Sequence, residues 1–298
     1  MDSRWSLSRT LIRGGNDRTN MEEITLQALL EAGCHFGHKA ERWHPKAASS
    51  IYAEKDGIHI IDLAKTKAGL EAAAQFVRDT IASGGEVLFV ATKRQAAGVV
   101  KEEVEAVGAP YFVERWIGGF LTNWDSVKKN IEKINRLTQE QETGGWKKLP
   151  KHEQSKLGRY LHKLKVFYGG VLSLNAVPQA LFVVDVRKED AAVREGKRRE
   201  LPIIAIVDTN SDPTGIDYPI PANDDAVGSI QYITHVIAQA YKEGKELREK
   251  EVVKEKAKEE KQEEKSAQGG SASGGKEEKQ EEVKIEKPKR TKTKKIAQ

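Results

Sequence analysis

The chain has 298 residues, 38% of them hydrophobic and 32% charged, enough for one or two packed domains plus charged segments outside them. No apolar run approaches the ~18 residues of a membrane span, the N-terminus carries no secretory apolar stretch, and Cys34 is the sole cysteine, which excludes an internal disulfide and favours a reducing compartment. Residues 1–20 carry four Arg against two Asp, and 242–298 carry 18 Lys+Arg against 14 Glu; 21–241 is left at −1, so a polyanion would be met by local patches and tails.

Residues 1–20 show little apolar periodicity and read as a disordered extension ahead of Met21. From Thr25, Leu26, Leu29 and Leu30 predict a short helix that Gly33 stops. The following runs, Gly33-Cys34-His35-Phe36-Gly37-His38 and Trp43-His44-Pro45-Lys46, mix glycines, rings and cations without catalytic spacing, a composition suited to a polyanion. Ile51-Tyr52-Ala53 and Ile58–Ile61 flank Asp56-Gly57, a hairpin signal. An Ala-rich helix is expected over 65–83, a buried strand over Val87–Ala91, a helix over 95–107 and a strand over Tyr111–Val113. After an interruption, strands over 180–184 and 203–207 bracket a charged helix over 189–200. A long helix starts near Asp224-Asp225 and turns Ile230, Ile233, Val236 and Ile237 inward. Apolar strands alternating with helices imply an α/β, doubly wound parallel sheet covered on both faces.

The interruption has its own pattern. Val127, Ile131 and Ile134 repeat the spacing of Leu157, Leu161 and Leu164, with Thr143-Gly144-Gly145 and Pro150 between. That predicts an antiparallel pair of amphipathic helices inserted over about 124–168. Residues 126–165 hold 11 Lys+Arg against 4 Glu, so the insertion is a second candidate contact surface. Beyond 242, Glu and Lys dominate and Gly269–Gly275 is a flexible break. The first part is expected to extend the last helix and the rest to be disordered, ending in a basic cluster over 287–295.

A doubly wound sheet invites a nucleotide, but the strand ending at Ala91 leads into Thr92-Lys93-Arg94-Gln95, with no glycine-rich phosphate loop. Two cations at a helix N-terminus oppose the helix dipole unless an anion sits there, so Lys93 and Arg94 point to a phosphate of a larger polymer or to solvated surface charges. Cys34, His35, His38 and His44 lack the second Cys pair of a zinc module. Asp185 and Asp208 end two buried strands; they either share a divalent ion or cap loops. Neither Ser173 nor Ser229 lies in a nucleophile elbow, and no paired carboxylates are evident, so an enzyme is not indicated. Trp116-Ile117-Gly118-Gly119-Phe120 reads as a rigid aromatic turn, either packed or facing RNA, with Arg115 beside it.

Six ordered blocks carry a family resemblance. They are Leu29–His38 with Trp43-His44-Pro45-Lys46, Gly57–Leu63, Thr92–Ala96, Arg115–Gly119, Val207-Asp208-Thr209-Asn210, and Asp217–Pro221 with Asn223–Ala226. Over about 21–241 the chain resembles the bacterial S2 family of small-subunit ribosomal proteins. The resemblance implies a flavodoxin-like domain with a protruding coiled-coil hairpin and a non-catalytic role in translation, in the cytoplasmic small ribosomal subunit. It implies binding to small-subunit ribosomal RNA between head and body, neighbouring ribosomal proteins, docking of ribosomal protein S1 nearby, and neither cofactor, small-molecule substrate nor membrane. Gly228 and Arg198-Arg199-Glu200-Leu201 depart from the usual family pattern. The residues expected to face RNA are Arg42, Trp43, His44, Lys46, Lys93, Arg94 and Arg115, with Lys128, Lys129, Lys147, Lys148 and Lys151 as a second set on the helical pair.

Overall fold

The structure, a computed structural model, describes residues 24–268, with side chains through 250. The expected extension over 1–20 and the Gly-Ser break and basic cluster of the tail lie outside the described residues. The chain divides into two units, 1–251 and 252–298; in the second, 252–268 are helical.

Helix α1 (Leu26–Glu31) starts where the Thr25 hydroxyl accepts from the Ala28 N–H, and Gly33 at φ 77° ends the turn that follows. Leu29 is buried, whereas Leu26 and Leu30 are about half exposed. Strand β1 (Phe36–Lys39) was not foreseen: it pairs with β3 (Ile58–Ile61), which also pairs with β2 (Ile51–Lys55). All three strands are antiparallel in the order β1-β3-β2. Asp56 and Gly57, at φ 55° and 73°, make the left-handed turn that Asp-Gly signalled.

Asp62 caps α2 (Leu63–Ala82), which leads to β4 (Val87–Val90), α3 (Arg94–Val107) and the short β5 (Tyr111–Phe112). Next come α4 (Trp124–Glu142) and α5 (Lys151–Tyr168), then β6 (Ala180–Val184), α6 (Asp190–Arg198), β7 (Ile203–Val207), β8 (Tyr218–Pro221) and α7 (Val227–Gln268). The second sheet is parallel throughout, in the order β5-β4-β6-β7-β8. Counted along the chain that is 2-1-3-4-5, one of the two common doubly wound orders.

Strand side chains alternate between two cores, as the period of two requires. Val87, Phe89, Phe182, Ile204 and Ile206 pack with α1, α2, α3 and α7 on one face. Leu88, Val90, Leu181, Val183 and Ala205 pack with α4, α5 and α6 on the other. The inserted helices run against each other. The Asn130 amide donates to the Tyr168 hydroxyl at 3.1 Å and the Lys133 ammonium to that of Tyr160 at 3.0 Å, so partner numbers fall as positions rise. Of the six residues whose spacing predicted facing stripes, Val127, Ile131, Ile134 and Leu161 are buried, while Leu157 and Leu164 are partly buried against the same core.

Two glycines in helices separate close approach from mere permissiveness. A Cβ at Gly69 would lie 2.5 Å from the Pro219 carbonyl oxygen of β8, whereas one at Gly98 would meet nothing within 4 Å. Gly69→Ala is expected to destabilise the fold by about 1–3 kcal/mol through overpacking. Gly98→Ala should stabilise it by about 0.5–1 kcal/mol by removing backbone freedom from the unfolded chain. Urea unfolding of the two variants checks both signs.

Candidate nucleic-acid interface

In a 2-1-3-4-5 sheet the ligand crevice opens at the carboxyl ends of the first and third strands, here β4 and β6. The chain fills that place with its own charges. Lys93, the residue before α3, is only 8% exposed, and its Nζ lies 2.7 Å from both Asp224 and Asp225 and 3.2 Å from Asp185. Burial alone would lower the lysine pKa, but these carboxylates outweigh it and hold the group above its ordinary value. Burial, with Asp185 and Asp208 close by, pushes the Asp224 carboxyl up to about 7.

This placement corrects the expected phosphate contact at Lys93. The anion that offsets the helix dipole there comes from the chain itself, and the ammonium is not offered to solvent. Arg94, one residue on, is exposed. Asp185 and Asp208 also differ from the paired arrangement considered for them. Asp185 takes a left-handed φ of 68°, accepts from the Lys188 N–H and faces Lys93.

Asp208 instead anchors the N-terminal sheet. Its Oδ1 accepts from the Thr209 N–H and hydroxyl and lies 3.1 Å from His38 Nδ1. His38 Nε2 is 3.2 Å from Asp225, and the His38 pKa is raised, chiefly by the Asp208 hydrogen bond against the opposing effect of burial. Thr209 completes the junction: its hydroxyl accepts from the His38 N–H at 2.9 Å and its carbonyl from the His44 N–H at 2.8 Å. Gly37 is required here, because a Cβ would sit 2.7 Å from the Thr209 methyl.

That junction displays the Arg42–Lys46 loop. Trp43 is 41% exposed and meets His59 edge-on at 5.6 Å. Arg42, Trp43, His44, Arg187, Lys197 and Asn210 contribute to the walls of a cleft of about 660 Å³. Arg187 and Lys197 were not singled out from the sequence, since one follows β6 and the other lies on α6, far along the chain from Arg42. Lys46 pairs with Asp212 at 2.8 Å, both roughly half exposed, a surface contact worth about 0–1 kcal/mol that a phosphate can displace.

The remaining candidates lie elsewhere. Arg115 is exposed and borders a shallow hollow of about 290 Å³ with Trp116, Phe167 and Tyr168. The aromatic turn beside it is packed: Trp116, Phe120 and Phe112 meet edge to face at 4.8–5.6 Å. Glu195, without evident function in the sequence, holds that turn, accepting from the Trp116 indole N–H and the backbone N–H groups of Gly119 and Leu121. Lys128 and Lys129 are exposed on α4; Lys147, Lys148 and Lys151 are exposed around the turn into α5.

Known proteins bear directly on this arrangement. Residues 29–244 match the family model described as Ribosomal protein S2. The chain belongs to the ribosomal protein S2 family. It is 51% identical over 229 residues to the small ribosomal subunit protein uS2 of Coprothermobacter proteolyticus, an alignment covering 77% of this chain and 85% of that protein. It is 46% identical over 231 residues to the protein of the same name from Dictyoglomus thermophilum, covering 78% and 94%.

Membership in the S2 family makes the chain a structural, non-enzymatic component of the small ribosomal subunit. No described helix is long and apolar enough to cross a membrane. One departure from the usual family pattern has a local cause. A Cβ at Gly228 would lie 3.0 Å from the Ala32 carbonyl, so α7 starts close against the turn after α1. The structure gives no account of the altered Arg198–Leu201 pattern.

The two neighbouring cations should separate cleanly on substitution. Lys93→Met leaves three carboxylates facing one another without their counter-charge and is expected to cost about 3–5 kcal/mol of folding stability. Arg94→Ala should stay within about 0.5 kcal/mol of the parent. Denaturant titration of both variants measures the difference.

Proposed function

We propose that this S2-family protein binds small-subunit ribosomal RNA between head and body, through the cleft beside Trp43 and the basic face of its helical pair. The observation that carries the reading is the cleft itself, where Arg42, Arg187 and Lys197, together with Asp190 and Asp212, line the walls beside an exposed tryptophan on a loop held by the His44 N–H bond to the Thr209 carbonyl. Cations neutralise phosphates while an indole face stacks on an unpaired base, the usual division of labour in single-stranded RNA recognition. His44, Lys46, Arg94 and Arg115 extend the contact, and Lys93 acts from beneath as a structural ion.

In this reading α4 and α5 form a coiled-coil hairpin, and Lys128, Lys129, Lys147, Lys148 and Lys151 give a second line of phosphate contacts. Docking of ribosomal protein S1 near this site follows from the family resemblance. A nucleotide-binding enzyme is disfavoured because the switch-point crevice is occupied by Lys93 and its carboxylates.

Incorporation into small subunits lacking this protein tests the assignment. The double substitution Arg42→Ala, Trp43→Ala is expected to weaken incorporation about tenfold or more, and to flatten its salt dependence by the share of one phosphate contact. The triple substitution Lys147→Ala, Lys148→Ala, Lys151→Ala should flatten the salt dependence further, with less loss at low salt. Incorporation equal to the parent across the whole salt series, for a normally folded cleft variant, would remove the cleft from the interface.

A further inference from the structure

Helix α6 borders both surfaces proposed for RNA, on different faces. Asp190, Val193 and Lys197, spaced three and four apart, line the Trp43 cleft. Gly196 lies against the sheet, where a Cβ would sit 2.8 Å from a Leu181 methyl, so close contact sets the distance of α6 from β6. Glu195 points a third way, to the root of the inserted helices. Its Oε1 accepts from the Trp116 indole N–H at 3.1 Å and the Gly119 N–H at 2.7 Å. Its Oε2 accepts from the N–H groups of Leu121 at 3.1 Å and Thr122 at 3.4 Å, and from the Thr122 hydroxyl at 3.5 Å. Arg199, just past the end of α6, donates to the Leu121 carbonyl at 2.8 Å.

The turn that Glu195 grips sets the direction of α4. That helix begins at Trp124 without a side-chain cap, and Trp124 meets Phe120 of the turn edge-on at 5.5 Å. At the other end of the insertion, Gly170 is packed so close to β5 that a Cβ there would collide with the Tyr111 carbonyl oxygen. One fixed point lets a rod pivot; a second stops it. The lever is long: the 19 residues of α4 span about 28 Å at ~1.5 Å each. A tilt of about 10° at the root therefore carries the far end, with Lys147, Lys148 and Lys151, about 5 Å, further than a phosphate contact can stretch.

We propose that Glu195 is the positioning residue that fixes the inserted helical pair relative to the Trp43 cleft, so that both surfaces engage one RNA at the same time. The inference rests on the RNA reading above and adds a coupling to it. Two contact surfaces on one protein bind as a unit only while their geometry lets both engage together. Helix α6 is the ruler between them, with cleft residues on one face and the carboxylate that holds the root of α4 on another. Glu195 itself touches no RNA in this arrangement, because its oxygens are taken by the turn.

Two measurements test the role. In the free full-length chain, spin labels at Glu102→Cys on α3 and Glu142→Cys at the far end of α4 report a distance distribution; both positions are exposed and Cys34 is buried. Glu195→Ala is expected to widen that distribution about twofold or more through the lever, Glu195→Gln, which keeps one acceptor oxygen, to widen it less, and Arg194→Ala, exposed on the same helix, to leave it unchanged. Incorporation into small subunits is the second readout. Glu195→Ala should lower it about tenfold or more in the parent, but about twofold or less when Lys147→Ala, Lys148→Ala and Lys151→Ala are already present, because a helical pair without its grip has nothing to position. A general loss of fold would cost the same in both backgrounds. If Glu195→Ala does not fold, Glu195→Gln decides by the same readouts. A parent-width distribution in the folded variant, or equal losses in the two backgrounds, overturns the proposal. Failure of the RNA reading looks different: the lysine variant alone then incorporates as the parent does, while the distance distribution still decides for or against Glu195.

Discussion

The Lys93 ammonium is drawn out of water into carboxylates contributed by two other loops, and the carboxyl end of the sheet is organised around it. Lys93 follows β4, Asp185 follows β6, and Asp224 and Asp225 follow β8. Burying such a group is rarely a net gain in stability, because desolvation consumes most of the Coulombic return. Its effect is on arrangement: a loop that strays leaves charge uncompensated in a low-dielectric site. Asp208 reaches the same cluster through the Asp224 N–H and passes the constraint to His38 and Thr209, hence to β1 and the Arg42–Lys46 loop. The exposed cations and Trp43 are therefore held by a chain of buried polar contacts that begins at one lysine.

The same cluster fills the place where a doubly wound sheet would hold a nucleotide. Doubly wound folds that bind one keep the switch-point crevice open and approach the phosphates with backbone N–H groups. Here Lys93 and Asp185 close the crevice from the two flanking strands, and Glu189 closes it further by accepting from the Thr92 N–H at 2.9 Å. On the proposed function, the fold supplies rigidity and recognition falls to the rim of the sheet and to the inserted helices.

Most of the architecture was legible because buried parallel strands read as unbroken apolar runs and the helices between them keep their period. The two strands that went unread fail that test for physical reasons. Tyr218-Pro219-Ile220-Pro221 contains two prolines, which a strand accepts only where its N–H groups are not all needed, and β8 is the edge of its sheet. Phe36–Lys39 holds a glycine and a histidine and pairs irregularly with β3 at one edge. The site was less legible. Lys93 and its partners at 185, 224 and 225 are brought together only by the sheet order, and no local pattern shows that a lysine at a helix start is internal. Asp224 and Asp225 were read as acids favouring a helix N-terminus; they precede α7 but spend their charge on Lys93.

The inward turn of these acids also changes what an approaching polyanion meets. Over 21–241 the formal charge is −1. Among the described residues Glu189, Asp208 and Asp224 are the buried carboxylates, held by backbone N–H groups, His38 or Lys93, and Lys93 is the buried ammonium. Three buried acids against one buried base leaves the outward-facing charge two units more positive than the formal count. Field lines from the interior ions largely close within the cluster, while Arg42, Arg187 and the helical-pair lysines project into water where phosphates arrive. On the proposed function, a domain nearly neutral on paper thus presents RNA with a more positive surface than its formal count, without the self-repulsion that a uniformly cationic body would carry into its own folding.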